Sequence, residues 1–163
     1  MQSLGALMHF DFNIAGAYAY EQALRAIRRL GLPMRDVEQQ VRRTFFNILA
    51  RNQDDHVKNI AFLMDRKGLW RLSPAFDVAY SYNPSGAWTG RHQMSTNGKR
   101  DGFTQSDLIT FAGTGGIKKA KAQRILAEVS QAVADWRTHA AEGGVPERDV
   151  VRIERSQRRG LFV

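Results

Sequence analysis

The sequence predicts a mainly α-helical domain that carries one small β-hairpin. Three observations point there. Apolar residues recur at helical spacing in several separate segments, one pair of short apolar runs flanks a tight polar reversal, and 163 residues suit a single domain or one lobe of a larger protein. Two full domains would need a longer chain.

Taken in order, Met1 to Ala19 mixes glycine, alanine and aromatic residues without a clear period, and reads as an interior segment of a larger unit. Tyr20 to Leu30 places Ala23, Leu24, Ile27 and Leu30 on one helical stripe, with Gly31 as its stop. Pro33 suits a first helical turn, and Val37, Val41, Phe45, Ile48 and Leu49 continue one apolar face to about Ala50. Arg51 to Asn59 (RNQDDHVKN) has a single apolar side chain and should be excluded from the core. Ile60 to Met64 and Leu69 to Leu72 flank Asp65-Arg66-Lys67-Gly68, the composition of a tight turn, so they form the hairpin, expected as the only firm strand pair. Ser73-Pro74 ends it. Tyr80 to Phe103 is rich in Gly, Ser, Asn and Thr and predicts a long loop, functional or mobile. Thr104 with Asp107 resembles a helix cap before a short helix to Ala112, and Gly113 to Gly116 connects it onward. Ile125, Val129, Ala132, Val133 and Trp136 predict one long helix from about Lys118 to His139, and a last helix spans about Pro146 to Arg158.

Composition narrows the class further. With 43% hydrophobic residues, nine Phe, four Tyr and three Trp, the chain can build a core, which excludes a disordered protein. The absence of cysteine excludes disulfides and thiolate metal sites. No apolar run approaches about 18 residues, and the start lacks the basic flank and cleavage site of a signal peptide, so a cytoplasmic protein without membrane insertion is expected. A net charge of +8 favours acidic partners such as nucleic acid, nucleotides or acidic proteins. Part of that excess, Arg152, Arg155, Arg158 and Arg159, reads as a solvated surface.

The segment that carries chemistry is the polar one. Asp54 and Asn59 stand five positions apart, and a third oxygen donor, Asp77, follows the hairpin. Phosphoryl transfer needs these types: one carboxylate to accept a hydroxyl proton, and an Asn oxygen with a second carboxylate to hold magnesium against the phosphates. Magnesium takes hard oxygen ligands and keeps several waters, so two protein donors suffice. Singly, each residue has an ordinary structural reading as a cap or turn residue. A zinc site at Asp54, Asp55 and His56 is the competing chemistry, but adjacent loop residues rarely reach zinc geometry and no HExxH is present. His9, His92 and His139 stand alone and read as surface or packing residues.

The stretch NQDDHVKN (52–59), followed by IAFLMDRKGLWRLSPAFDVAYSY and later by RHQMSTNGKRDGF (91–103), resembles the HipA family of toxin kinases. The resemblance implies a fold like the C-terminal lobe of a protein kinase over most of the chain, and an ATP- and Mg²⁺-dependent serine/threonine protein kinase of a toxin–antitoxin system. By position it makes Asp54 the catalytic base, Asn59 and Asp77 the magnesium ligands, and His56 and Lys58 local structural or phosphate-side residues. Asp55 stands where the family often has Gly. It further implies a helix-turn-helix antitoxin as partner, DNA reached through that antitoxin, and an aminoacyl-tRNA synthetase as a substrate. No glycine-rich ATP-covering loop is recognisable, since Gly113 to Gly116 follows the catalytic segment, so a separate or missing N-terminal lobe is expected. The alternative is a non-catalytic module that binds an antitoxin or DNA through its basic surface.

Overall fold

The structure, a computed structural model, describes residues 1–159. Among the described residues there are seven helices and one three-stranded antiparallel sheet. In chain order these are β1 (Gln2–Ser3), α1 (Leu4–Met8), α2 (Tyr20–Arg29), α3 (Met34–Ala50), β2 (Ala61–Met64), β3 (Trp70–Leu72), α4 (Gln105–Thr114), α5 (Lys119–Ala134), α6 (Trp136–Glu142) and α7 (Glu147–Ser156). The mainly helical expectation holds. No helix among the described residues is long and apolar enough to cross a membrane.

Helix α3 is the centre of the fold. Its apolar face, Val37, Val41, Phe45, Ile48 and Leu49, is fully buried and packs between α2 and α5. Phe111 of α4 stands edge-on to both Tyr20 and Phe45, with ring centroids 6.3 Å apart in each pair. Such edge-to-face pairs add to the burial of each ring and fix the angle at which α4 meets α2 and α3. Helix α2 ends as its sequence requires: Gly31 takes φ +71°, which lets the chain turn after Leu30. Helix α4 starts on a reciprocal cap, in which Thr104 Oγ1 accepts from the Asp107 amide and Asp107 Oδ2 accepts from the Thr104 amide. Three further donors, from Lys99, Asn97 and the Thr104 hydroxyl, reach the same carboxylate. Burial alone would raise the pKa of Asp107, but these hydrogen bonds hold it well below the usual carboxylate range.

Four expectations are corrected. The hairpin is not the only strand pair, because β1 joins its β2 edge with Gln2 opposite Phe62 and Ser3 opposite Ala61. Two residues are too few to show alternation. Ser3 then caps α1, its hydroxyl accepting from the Ala6 amide 3.1 Å away. The helix expected from Lys118 to His139 breaks at Asp135, because Trp136 swings its indole N–H onto the Val150 carbonyl of α7 at 3.1 Å. The basic C-terminal group is not simply a solvated surface: Arg158 is buried, while Arg152 and Arg159 pair with Asp149 and Glu154. Finally, the polar segment 51–59 is partly core, since Asn52, Gln53, Asp55 and Val57 are buried. Long-range hydrogen bonds, described next, make that possible.

Candidate active site

The site begins where α3 ends. Arg51 adopts the left-handed conformation (φ 62°), its amide closing on the Asn47 carbonyl, and this turns the chain out of the helix toward the sheet. From residue 53 the backbone carries alternate side chains inward and outward: Gln53, Asp55 and Val57 are buried, while Asp54 and His56 are half-buried and Lys58 is exposed. One hydroxyl anchors the start of this stretch. Ser81 Oγ accepts from the amides of both Gln53 and Asp54 at 3.0 Å and donates to Asn52 Oδ1.

Asp54 and Asn59 are joined directly. The Asn59 side-chain amide donates to the Asp54 carbonyl at 2.9 Å, and the Asn59 backbone amide closes a turn on His56. Because Nδ2 is used in this way, Oδ1 is the Asn59 atom left to accept or to coordinate. The Asp54 carboxylate is half exposed, and the neighbouring His56 Nε2 lies 3.9 Å away, beyond hydrogen-bond reach.

Asp77 reaches the same place from the other side. Ser73 donates its amide to the Ala61 carbonyl, and Arg43 of α3 holds the Ser73 carbonyl at 2.7 Å, so the strap after β3 lies along α3. Burial lowers the Arg43 pKa, and the charge of Asp36 opposes that shift. Asp77 then takes φ +53°, a conformation that aspartate tolerates better than most residues. Asn59 and Asp77 both line one cavity of about 340 Å³, walled by Asn47, Asn52 and Phe76 on one side and Val129 of α5 on the other. Asp54 is not in that wall, and connects to it through the Asn59 amide.

His56 and Lys58 do not line this cavity. They meet Phe12 instead: the Phe12 ring stands edge-on to His56 at 5.9 Å, and the Lys58 ammonium lies 3.3 Å above the Phe12 centroid. Phe12 lies in the opening segment, where no pattern marked it. Buried His56 Nδ1 has no partner among the described residues.

Asp55 has a different fate from Asp54. Its Oδ2 accepts from the Tyr20 hydroxyl at 2.8 Å and from His92 Nδ1 at 2.7 Å, and its Oδ1 accepts from the Gln93 amide at 2.8 Å. Tyr20 in turn accepts from the Asn47 side chain. Burial first, and the Asp55 charge second, push the Tyr20 hydroxyl well above its ordinary pKa, with the Asn47 hydrogen bond opposing. On the far side of the imidazole, Arg158 Nη1 lies 3.0 Å from His92 Nε2. A guanidinium can only donate, so Nε2 is the acceptor and Nδ1 carries the proton toward Asp55. His92 is therefore buried with both ring nitrogens engaged, and does not stand alone as its sequence position suggests. The same Arg158 donates to the Ile48 carbonyl at 2.7 Å, to Gln53 Oε1 at 3.4 Å and to Asp101. Burial, then the neighbouring Arg51 charge, lower the Arg158 pKa, and Asp101 opposes them.

The zinc alternative does not survive this geometry. Asp55 points into the core away from Asp54 and His56, and no group of three His, Cys, Asp or Glu side chains among the described residues could hold a metal. The Asn59 and Asp77 pair, two oxygen donors on one cavity, suits a cation that keeps most of its own water. Ser81, Tyr20, His92 and Arg158 were not marked by linear spacing, since each joins the loop from 27 or more positions away. No curated protein matches the chain at a significant level. The sequence profile of the HipA-like C-terminal domain matches residues 1–136, which take in the loop, the hairpin and the Asp77 strap, and the chain therefore belongs to the HipA-like C-terminal domain family.

Proposed function

We propose that this chain is the catalytic and metal-binding lobe of a HipA-like serine/threonine protein kinase, with a fold related to the C-terminal lobe of protein kinases. The observation that carries the reading is the shared cavity of Asn59 and Asp77, with the Asn59 amide tied to the backbone of Asp54. Asp54 is the base that takes the proton from the substrate hydroxyl. Its carboxylate is open to solvent on one side and has no hydrogen-bonding cation of its own, so it stays an acceptor. A positioned base of this kind contributes about 10²- to 10⁴-fold in rate.

Magnesium supplies charge neutralisation on the phosphates of ATP when it is bound. Asp77 and Asn59 Oδ1 are the residues that hold it, and the left-handed backbone at Asp77 together with the Asn59 hydrogen bond presets both donors. Lys58 supplies positive charge on the phosphate side of the loop, and His56 packs beneath it against Phe12. The partners follow from the family reading: a nucleotide-covering N-terminal kinase lobe, a helix-turn-helix antitoxin, DNA through that antitoxin, an aminoacyl-tRNA synthetase as a protein substrate, and the cytoplasm as the setting. The DNA-binding alternative loses support from the ion pairs that occupy Arg42, Arg137, Arg152 and Arg159, and from the burial of Arg158.

Titration of ATP by calorimetry, with and without magnesium and with a family N-terminal lobe added, tests the reading. Binding that requires magnesium and is lost in Asp77→Asn, with phosphotransfer abolished in both Asp54→Asn and Asp77→Asn, is the expected result. No nucleotide binding even with the added lobe present would reject it.

A further inference from the structure

The region matched by the family profile stops at residue 136, yet a residue 22 positions beyond that limit, Arg158, reaches the back of the loop that carries Asp54. We infer that Arg158 is a positioning residue for Asp54, acting through Gln53 and through the His92–Asp55 pair on either side of it in the chain. The inference rests on the kinase reading for what Asp54 does, but the clamp itself is built from contacts that stand without it.

Arg158 arrives at the loop on a fixed backbone. Its own amide donates to the Leu49 carbonyl at 3.0 Å, and Arg51 Nε reaches the Ser156 carbonyl at 2.8 Å, so the end of α3 and the end of α7 are stitched together from both directions. The side chain is then buried, and its guanidinium serves four acceptors: the Ile48 carbonyl, His92 Nε2, Gln53 Oε1 and Asp101. Its plane also lies 5.3 Å from the Phe103 centroid. A planar donor with five N–H groups can bridge acceptors in this way, and a lysine ammonium cannot.

The contacts converge on the two residues next to Asp54 and on its successor's partner. Gln53 accepts from Arg158 and Arg51 and donates to the Thr89 carbonyl at 3.0 Å. Asp55 is held by His92, whose other ring nitrogen accepts from Arg158. With both neighbours locked inward, alternation leaves Asp54 no choice but to face outward. Removal of the guanidinium leaves buried His92 Nε2 without its donor and Gln53 Oε1 with Arg51 alone.

The test compares the full chain with Arg158→Ala and with Arg155→Ala, an exposed residue of α7 three positions earlier whose loss removes the same charge. Amide hydrogen exchange read by mass spectrometry should rise about tenfold or more across residues 52–59 in R158A, and stay at the wild-type rate in α5 and throughout R155A. Guanidinium added to R158A should slow loop exchange again, whereas methylammonium should not. In magnesium-dependent ATP turnover with the family N-terminal lobe added, kcat should fall at least about tenfold while KM for ATP stays within about twofold, because the base and not the nucleotide loses its position. Loop exchange that is unchanged in R158A overturns the inference, as does loosening spread evenly over the whole chain, or a loosened loop with kcat intact. If the wild type shows no turnover even with the family N-terminal lobe added, the kinase reading fails, and the exchange arm still decides the clamp. Should R158A not fold, R158K keeps the charge without the fork and is read by the same measurements.

Discussion

The two faces of residues 53–58 are built from similar side chains and do opposite jobs. Asp54 and Asp55 are the same residue one peptide apart. Asp55 is buried with three donors on its two oxygens, whereas the Asp54 carboxylate is half exposed with no donor within hydrogen-bond distance. Every polar atom of the inner face is committed to a partner far away in the chain, from Tyr20 to Arg158. The outer face is left with its chemistry unspent. The difference shows that the reactive face is organised by saturation of the inner one: a loop with so many fixed donors and acceptors behind it does not need to reorganise when a substrate arrives.

The largest expected effect breaks that symmetry directly. Asp55→Ala leaves the Tyr20 hydroxyl, His92 Nδ1 and the Gln93 amide without their acceptor in a buried site, and should destabilise the fold by about 3–5 kcal/mol. Asp54→Ala should change stability by no more than about 0.5 kcal/mol, since it removes no hydrogen bond, while phosphotransfer falls about 10²- to 10⁴-fold. Urea unfolding of the two variants, set beside their turnover, separates the roles. Equal destabilisation of both would mean that the outer carboxylate is structural as well.

Sequence reasoning could see the outer face and not the inner one, for a physical reason. The helices α2 and α3, the hairpin and the Thr104 cap are local events, written in periodicity and in neighbours three or four positions apart. Asn59 and Asp54 are also close in sequence, and the bond between them is the closure of one turn. Burial of Gln53 and Asp55, by contrast, depends on Thr89, His92, Gln93 and Arg158, and nothing in RNQDDHVKN announces acceptors and donors that arrive from 36 to 105 positions away. A run of polar residues therefore reads as wholly outside the core. The break between α5 and α6 was hidden in the same way, because the Trp136 partner, Val150, lies 14 positions on, in the following helix α7. Strand β1 escaped because its two residues borrow their register from Phe62 and Ala61.

A middle-sized effect sharpens the comparison at the deepest inner partner. Tyr20→Phe deletes the hydroxyl that donates to Asp55 and accepts from Asn47, and should cost about 1–3 kcal/mol. The pH dependence carries a sign. The Tyr20 pKa is raised in the folded state above its ordinary 10.0, by burial and then by the Asp55 charge, so its contribution is complete below that value and is lost as pH climbs toward the folded one. The stability gap between wild type and Y20F should accordingly narrow as pH rises above about 10, measured by urea unfolding at a series of alkaline pH values. A gap that widens there would place an ionised phenolate in the network and contradict the hydrogen-bond order given above.

The smallest effect belongs to the outer face, at Lys58. Its ammonium sits 3.3 Å above the Phe12 ring, and Phe12 is itself 39% exposed, so the contact is a solvent-weakened cation–π pair worth about 0.5–1 kcal/mol. A double-mutant cycle of Lys58→Ala with Phe12→Ala, read by urea unfolding, should return a coupling energy no larger than that. A coupling of about 2 kcal/mol or more would make Lys58 part of the scaffold, like the residues behind it. A weak coupling has a functional consequence, because so small a tether lets the ammonium leave the ring for a phosphate at little cost. In that case Lys58→Ala should weaken binding of magnesium–ATP by a larger factor than it weakens the fold, which is the signature that separates an outer-face residue from an inner-face one.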